Sequence, residues 1–462
     1  MSIAQKYRSN NILEKAYNNS PKLIQDFIYS GFGYFKMREL KKIRKIYVVE
    51  LEEEDKLSRN EIEKKQLEKF KTLFKHARTS TKYYERLASE LQLTEDSFQS
   101  LEDLKKLPIL EKNQVIVSQK DFWSNQNENY NAVTQSTGGT TGSTLNFKLD
   151  KEAYFKKEAE IIHYWNRHNF FPGKEKSIMF RAGVIIPPGK KIKSPWRIDH
   201  TRKMLYFSSY YASEALFSDY VKIIKKWNPT IMNGLPSALY LFAQYLNKHQ
   251  IKLPLRKVMT ASEMLHSFQR EAIEEAFDCK VFDHYGHGEP GMYGAGQCNL
   301  GHYHIPTSNV IVEVSDDGHL IETSLNNFSM PFIRYKVGDV IDGIHHNCDC
   351  GIKTPFFITI HGRESSFVFT ADGRKISTIG FDQIFKGNNI LLGQIIQEKK
   401  GEFILKIVPT EGFKEADQIN IIDKLKKRVG QDSKIYFNKV KEIPKAQSGK
   451  YNLVLTKLQD ER

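Results

Sequence analysis

Apolar side chains change their spacing along the chain, and each spacing predicts a different kind of element. Residues 1 to about 110 carry them at helical intervals, including a stripe that runs from Leu67 to Phe74. From about residue 130, short apolar segments such as KSIMFRAGVII and RKVMTAS alternate with helix-like segments such as PSALYLFAQYLNKH. Strand, loop and helix in repetition predict an α/β layered domain that follows a helical N-terminal extension.

Three loops follow the predicted central strands: NGLPS, TASEM and DHYGHGE. Because sites in such folds gather at the carboxyl ends of the strands, we expect functional side chains in these loops. After about residue 300 the pattern becomes antiparallel, with a hairpin turn at Asp317 and Gly318. A small α+β unit follows HGRES, so we predict a large domain over residues 1–362 and a small, mobile C-terminal domain over residues 363–462.

The segment LIQDFIYSGFGYF near the N-terminus is apolar and aromatic but short. We expect it to pack on the core; the alternative is that it rests on a membrane surface. No apolar run reaches the ~18 residues of a membrane span, and the first residues lack the pattern of a secretion signal. Both observations favour a cytoplasmic location.

Charge points to an anionic partner. Lys and Arg number 69 against 55 Asp and Glu, a net charge of +14, which suits a nucleotide, coenzyme A, nucleic acid or acidic lipid. The basic runs mix signs or show helical spacing, as solvated helix faces do. A nucleic-acid binder would also need a clustered basic stripe with interleaved aromatic residues, and the sequence has none.

The segment TQSTGGTTGST combines three glycines with seven hydroxyl side chains. Glycines allow backbone N–H groups to approach an anion, so the segment suits a phosphate-binding loop as well as a plain surface loop. No Lys follows Gly142, so it is not the P-loop of nucleotide hydrolases. Taken alone, the segment leaves both interpretations open.

The order of four segments along the chain favours the phosphate-binding loop over the plain surface loop. The four are this loop, DHYGHGE, MPFIRYKVGD with the following HGR, and IPKAQSGKY. Together they resemble the adenylate-forming ligase superfamily, and within it the phenylacetate–CoA ligase branch with its capsular-polysaccharide-biosynthesis relatives. The resemblance covers nearly the whole chain. It implies an enzyme that activates a carboxylic acid with ATP as an acyl-adenylate, releases pyrophosphate, and transfers the acyl group to coenzyme A.

The resemblance also implies roles for individual residues. Lys450 and Thr140 would act on the phosphates during catalysis, and Glu289 would help to hold Mg²⁺, which prefers hard oxygen ligands. Tyr285 would lie against adenine and Asp339 would accept hydrogen bonds from the ribose. The remaining nucleotide contacts would come from Ser136, Thr137, Gly138, Gly139, Thr141, Gly142, Ser262, Glu263, Gly286 and Arg363.

Two positions depart from the superfamily pattern. Ser143 and Thr144 stand where the loop usually continues with Lys-Pro, and Gly288 stands where Thr or Ser usually precedes the glutamate. The second change removes a hydroxyl that could contact the nucleotide.

The cysteines predict a metal site. Cys348 and Cys350 form a C-x-C pair, and Cys298 lies close to two histidines; three thiolates and an imidazole suit zinc. The resemblance favours His304, which precedes an apolar residue, over His302. The zinc ligands would be Cys298, His304, Cys348 and Cys350, and Cys279 would be a core residue. The alternative is three unrelated cysteines.

The acceptor stays open at this point. Transfer of the acyl group to an amine or hydroxyl, for example of a cell-surface sugar, is the alternative to coenzyme A. The identity of the acid and the oligomeric state are also open.

Overall fold

A computed structural model describes residues 17, 20–136, 145–181, 194–363, 367–378, 380–444 and 451–458, with the backbone alone at Arg181, Arg363 and Ser377. The α-helices in these ranges are α1 (Lys22–Ile43), α2 (Val49–Glu54), α3 (Arg59–Ser80), α4 (Lys82–Glu90), α5 (Lys112–Val117), α6 (Lys151–Arg167), α7 (Glu214–Trp227), α8 (Pro236–Lys248), α9 (Ser267–Phe277) and α10 (Glu415–Val429). A π-helical turn (Arg44–Val48) joins α1 to α2, and short 3₁₀ turns cover Glu95–Ser97, Leu101–Lys106, Gln119–Phe122, Asn127–Tyr130, Ser209–Tyr211 and Phe381–Ile384.

The N-terminal part is helical, as the spacing predicts. Helix α3 begins at a capping box, in which the Ser58 N–H donates to Glu61 Oε2 at 2.8 Å. Its predicted stripe is buried at Phe70, Leu73 and Phe74. In the part of the chain that the structure describes, no helix is long and apolar enough to cross a membrane.

Two strand systems follow. A paired β1 and β2 precede α6, and a nine-stranded sheet has the order β14-β10-β9-β8-β7-β6-β3-β5-β4. The strands of these two sheets are β1 (Val133–Ser136), β2 (Asn146–Leu149), β3 (Ser177–Arg181), β4 (Trp196–Asp199), β5 (Met204–Ser208), β6 (Ile231–Gly234), β7 (Lys257–Ala261), β8 (Val281–Tyr285), β9 (Ala295–Gln297), β10 (Tyr303–His304) and β14 (Phe356–Phe357).

Strands β5, β3, β6, β7 and β8 run parallel and form the centre of the nine-stranded sheet. Helices α7, α8 and α9 connect β5 to β6, β6 to β7 and β7 to β8, and their apolar sides form one core with these strands. Parallel strands buried by crossover helices are the expected α/β arrangement. The carboxyl ends of β6, β7 and β8 therefore meet at one edge of the sheet.

The predicted antiparallel region forms a separate sheet of order β11-β12-β13-β15, and its β11–β12 hairpin turns at Gly318, which has a φ of +83°. The C-terminal unit contains a β16–β17 hairpin and a sheet of order β20-β19-β18-β21 that packs on α10. These strands are β11 (Val310–Val314), β12 (His319–Ser324), β13 (Tyr335–Ile341), β15 (Ile360–Arg363), β16 (Phe367–Phe369), β17 (Lys375–Ser377), β18 (Ile390–Lys399), β19 (Glu402–Pro409), β20 (Lys434–Lys439) and β21 (Val454–Thr456). The α/β fold class with a large and a small part is confirmed.

The expectation that the segment LIQDFIYSGFGYF packs on the core holds only in part. Tyr29 of the apolar segment of α1 packs on the core, with its ring centroid 5.1 Å from that of Tyr206, but other apolar side chains face outward: Leu23 is 83% exposed, Phe27 79% and Phe35 63%. The residues that α1 buries are instead Gln25, Asp26, Gly33 and Ile43.

Candidate active site

The loops after β6 and β7 meet at Glu263. The Ser237 N–H at the start of α8 donates to Glu263 Oε2 at 2.9 Å. The Tyr451 N–H, from the C-terminal unit, donates to Glu263 Oε1 at 3.0 Å. The carboxylate predicted to contact nucleotide thus joins the large part of the chain to the residue that directly follows Lys450.

The loop after β8 depends on a glycine. A Cβ at Gly286 would lie 2.0 Å from the backbone oxygen of Tyr293, so only glycine allows the loop to fold back this closely. The returning strand of the loop accepts a backbone hydrogen bond from the His287 N–H at Met292 O, 3.2 Å away. This tight loop presents Glu289.

Glu289 shares a buried histidine with a second carboxylate. His287 Nδ1 lies 3.5 Å from Glu289 Oε2, and His287 Nε2 lies 2.9 Å from Glu322 Oε2. Burial opposes a charge on His287, but Glu322 and Glu289 outweigh it and raise its pKa to about 9. Burial likewise opposes charge on Glu289, and His287 outweighs it, so the pKa of Glu289 falls to about 2. The loop therefore presents an ionised carboxylate beside an imidazolium.

Two side chains of helix α6 hydrogen-bond to the backbone of the same loop. Lys157 Nζ donates to the backbone oxygens of His287, Gly288 and Glu289 at 3.2, 3.2 and 2.6 Å. One turn later, Glu160 Oε2 accepts the N–H groups of Tyr293 and Gly294 at 2.8 and 2.7 Å.

Lys157 and Glu160 are both buried. Burial lowers the pKa of Lys157 to about 8, although three nearby carboxylates act against the shift. Burial also raises the pKa of Glu160 to about 7, against its hydrogen bonds and Lys157. Sequence reasoning missed this pair; the signal was a Lys and a Glu on the apolar stripe of α6.

Tyr285 and Asp339 are brought together. The Tyr285 hydroxyl donates to Asp339 Oδ2 at 2.6 Å, and both side chains are buried. Asp339 on β13 is directly opposite Arg363 on β15 in the antiparallel register. The residues predicted to contact the nucleoside therefore come from two sheets that meet beside the Glu289 loop.

Other predicted residues are placed in part. Ser136 ends β1, where its hydroxyl bonds to the side chain of Asn146. Ser262 follows β7 with a φ of +71°, a conformation that side chains rarely adopt and that often marks a functional turn. Thr137, Gly138, Gly139, Thr140, Thr141, Gly142 and Lys450 lie outside the described residues. The roles of all these residues stay predictions.

The four predicted metal ligands form one cluster. The ligand atoms of Cys298, His304, Cys348 and Cys350 lie within 4.8 Å of one another. Cys298 Sγ and Cys348 Sγ are 3.9 Å apart, close to the ~3.8 Å between two sulfurs of a tetrahedral site with Zn–S bonds near 2.3 Å. The donor set and its spacing therefore fit zinc.

Outer contacts orient the cluster. His304 Nδ1 lies 3.1 Å from the backbone oxygen of Thr354, which can only accept, so Nδ1 carries the proton and Nε2 faces Cys350 Sγ at 3.3 Å. His302 Nδ1 lies 3.2 Å from Cys348 Sγ, while its ring stacks on Phe356. His302 thus flanks the cluster that contains His304.

The sequence is similar to one family model and to two known proteins. Residues 368–457 match the family model of the CapK C-terminal domain. Over 97% of its length the chain is 23% identical to all of Protein CapK from Staphylococcus aureus. A further match, 26% identical, covers 24% of this chain and 28% of indoleacetate–lysine synthetase from Pseudomonas savastanoi.

Solved structures agree. A 2-hydroxyisobutyryl-CoA ligase crystallised in the postadenylation state superimposes with a TM-score of 0.65 at 17% identity, over 87% of this chain and 91% of that one. The chain has the fold of the adenylate-forming ligases. The same ligase in the thioesterification state gives a TM-score of 0.52, over the same shares of the two chains. The fold that the motifs imply is confirmed.

Proposed function

We propose that this protein activates a carboxylic acid with ATP to form an acyl-adenylate and pyrophosphate. The observation that supports it most is the convergence of Glu263, Glu289 and the Tyr285–Asp339 pair at the carboxyl edge of the central sheet. Attack of a carboxylate on the α-phosphorus brings two anions together, so catalysis requires positioning and charge neutralisation.

Each group has a distinct task in this proposal. Asp339, oriented by Tyr285, accepts hydrogen bonds from the ribose hydroxyls. The loop of residues 137–142 binds the departing pyrophosphate. Glu289 would help to hold Mg²⁺, which supplies neutralising charge to the phosphates. Lys450 neutralises the developing charge when the C-terminal domain, residues 363–462, closes on the large domain, residues 1–362. The better superposition on a postadenylation structure supports an arrangement of this kind.

Coenzyme A is our first choice of acceptor, because the superimposable ligase is named for it. A specific observation favours the alternative: one relative is named as joining indoleacetate to lysine, so an amine or hydroxyl, as in surface-polysaccharide biosynthesis, is the second candidate. The Cys298–His304–Cys348–Cys350 cluster would hold a structural zinc, since four protein ligands leave no open position for a substrate.

The decisive experiment is acid-dependent exchange of pyrophosphate into ATP over a panel of aromatic, aliphatic and amino acids. At least one class of acid should support exchange. Failure of every acid, with ATP binding intact, would contradict the proposal. With the acid known, AMP release that requires coenzyme A would select the first acceptor, and release that requires an amine or sugar would select the second.

A further inference from the structure

Helix α1 is attached to the protein by its polar side. Asp26 Oδ1 accepts the N–H of Ile198 at 3.1 Å, and Ser30 Oγ accepts the N–H of His200 at 3.0 Å. Gly33 lies so close to Asp199 that a Cβ there would clash with its carboxylate. These contacts cover β4, the edge strand of the nine-stranded sheet.

The opposite side of α1 is apolar and faces outward. Side chains spaced three and four residues apart lie on one face of a helix, and this face contains exposed Leu23, Ile24, Phe27, Tyr34 and Phe35. Helices of globular proteins normally turn such a face to the core. The inverted arrangement leaves a contiguous apolar surface that requires a cover.

The same face becomes basic further along the helix. Arg38, Lys41, Lys42 and Lys45 continue it at helical spacing, are exposed, and form no ion pair with another described residue. The outward side of α1 and of the start of the π-helical turn that follows it thus consists of an apolar part, residues 23–35, and a cationic part, residues 38–45. We call it the outer face of α1.

From this composition we infer that the outer face of α1 docks on an anionic phospholipid surface. A helix that lies in the membrane interface inserts apolar side chains between the lipids, while its Lys and Arg side chains attract anionic headgroups. The face offers both, and the excess of 14 positive charges over the chain favours the same partner.

A second copy of the chain fits this face less well. In a two-fold dimer with antiparallel helices, the cationic part of one copy would cover the apolar part of the other. With parallel helices the two cationic parts would face each other. Burial of unpaired Lys against Phe and juxtaposition of like charges are both unfavourable. An anionic bilayer surface can bury the apolar part among its lipids and pair the cationic part with its headgroups at the same time.

The test is co-sedimentation of the full chain with phosphatidylcholine vesicles prepared with and without phosphatidylglycerol. The wild type should bind only the anionic vesicles, and binding should weaken with salt. Phe27→Gln with Phe35→Gln should weaken it at least about tenfold through lost apolar insertion. Lys41→Gln with Lys42→Gln should weaken it on the order of tenfold.

Matched controls lie elsewhere on the surface. Val117 and Ile419 are 85% and 54% exposed, and Val117→Gln with Ile419→Gln should leave vesicle binding unchanged. Lys64→Gln with Lys65→Gln, on exposed positions of α3, controls for general positive charge. All variants should keep the wild-type melting temperature, because the altered side chains face solvent.

Three outcomes would overturn the inference. One is that the wild-type protein does not bind anionic vesicles, which is the result expected if the partner of this face is an acidic protein. Another is equal loss of binding in the Lys64 and Lys65 control, which would assign binding to diffuse charge. The third is self-association without lipid that the Phe27 and Phe35 variant abolishes while vesicle binding persists, which would identify a second copy as the occupant.

Discussion

Glu263→Gln tests whether this carboxylate holds the C-terminal unit in the orientation for adenylation. The substitution preserves size but removes the charge that accepts the N–H groups of Ser237 and Tyr451. A hydrogen bond to an ionised acceptor contributes about 1.5–3 kcal/mol. Glu263 and Tyr451 are both half-buried, so we take the lower end, about 1.5 kcal/mol, which corresponds to about a tenfold change in rate.

That loss should fall on one half-reaction. Tyr451 directly follows Lys450, which we assign to adenylation, so loss of the Tyr451 hydrogen bond should displace Lys450. The kcat of pyrophosphate exchange should therefore decline about tenfold. Acyl transfer from a pre-made adenylate should stay within about twofold, because it uses a different orientation of the small domain.

The control is Glu411→Gln, which breaks a second contact between the two parts of the chain, Lys248 Nζ to Glu411 Oε1 at 2.7 Å. Both side chains of that pair are exposed, so its loss should have almost no effect. Equal loss in both half-reactions for Glu263→Gln would refute the step-specific role. A raised KM for ATP at unchanged kcat would show that Glu263 binds the nucleotide directly.

Three further predictions concern the other groups of the site. Lys450→Ala should lower pyrophosphate exchange on the order of a hundredfold but spare transfer from a pre-made adenylate; equal effects on both would contradict its assignment. Cys348→Ser should reduce bound zinc from about one per chain and lower the melting temperature before the KM for ATP changes; unchanged stability without metal would remove the structural role. The pKa of His287 is raised to about 9 from 6.5, so its stabilisation, roughly 3.4 kcal/mol, is complete below pH ~6.5 and is lost as the pH rises through ~9. The stability difference between wild type and His287→Gln, from urea unfolding, should shrink over that range, and a constant difference would show that His287 is neutral.

Local spacing was sufficient to predict most of the elements. Strands such as β6, β7 and β8 and the helices between them can each be predicted from the spacing of apolar residues within the segment itself. The hairpin at Gly318 follows from a local turn preference. The Cys and His cluster was also predictable, because soft ligands are rare enough for their spacing to carry information.

Contacts between distant segments were not predictable in the same way. Lys157 reaches the backbone of residues 287–289 from a helix about 130 positions earlier, and backbone oxygens carry no sequence signal. The prediction that α1 packs its apolar side on the core was only partly right, for a related reason. Its apolar side chains satisfy the pattern of a core helix, and only the hydrogen bonds of Asp26 and Ser30 to the residues at β4 reveal that the polar side faces inward.

Buried charged side chains hold the loop that contains Gly288, the position at which the superfamily pattern has Thr or Ser. A glycine before Glu289 leaves the local backbone with more freedom to lose on folding. Lys157 offsets that freedom by binding three consecutive carbonyl groups, and His287 holds the Glu289 carboxylate from the side. Burying Lys157 is costly unless the ammonium is paired, and Glu160 and Glu289 supply the opposing charge. The loop is therefore preorganised by side chains from α6 and β12, and Gly288 supplies no side chain of its own.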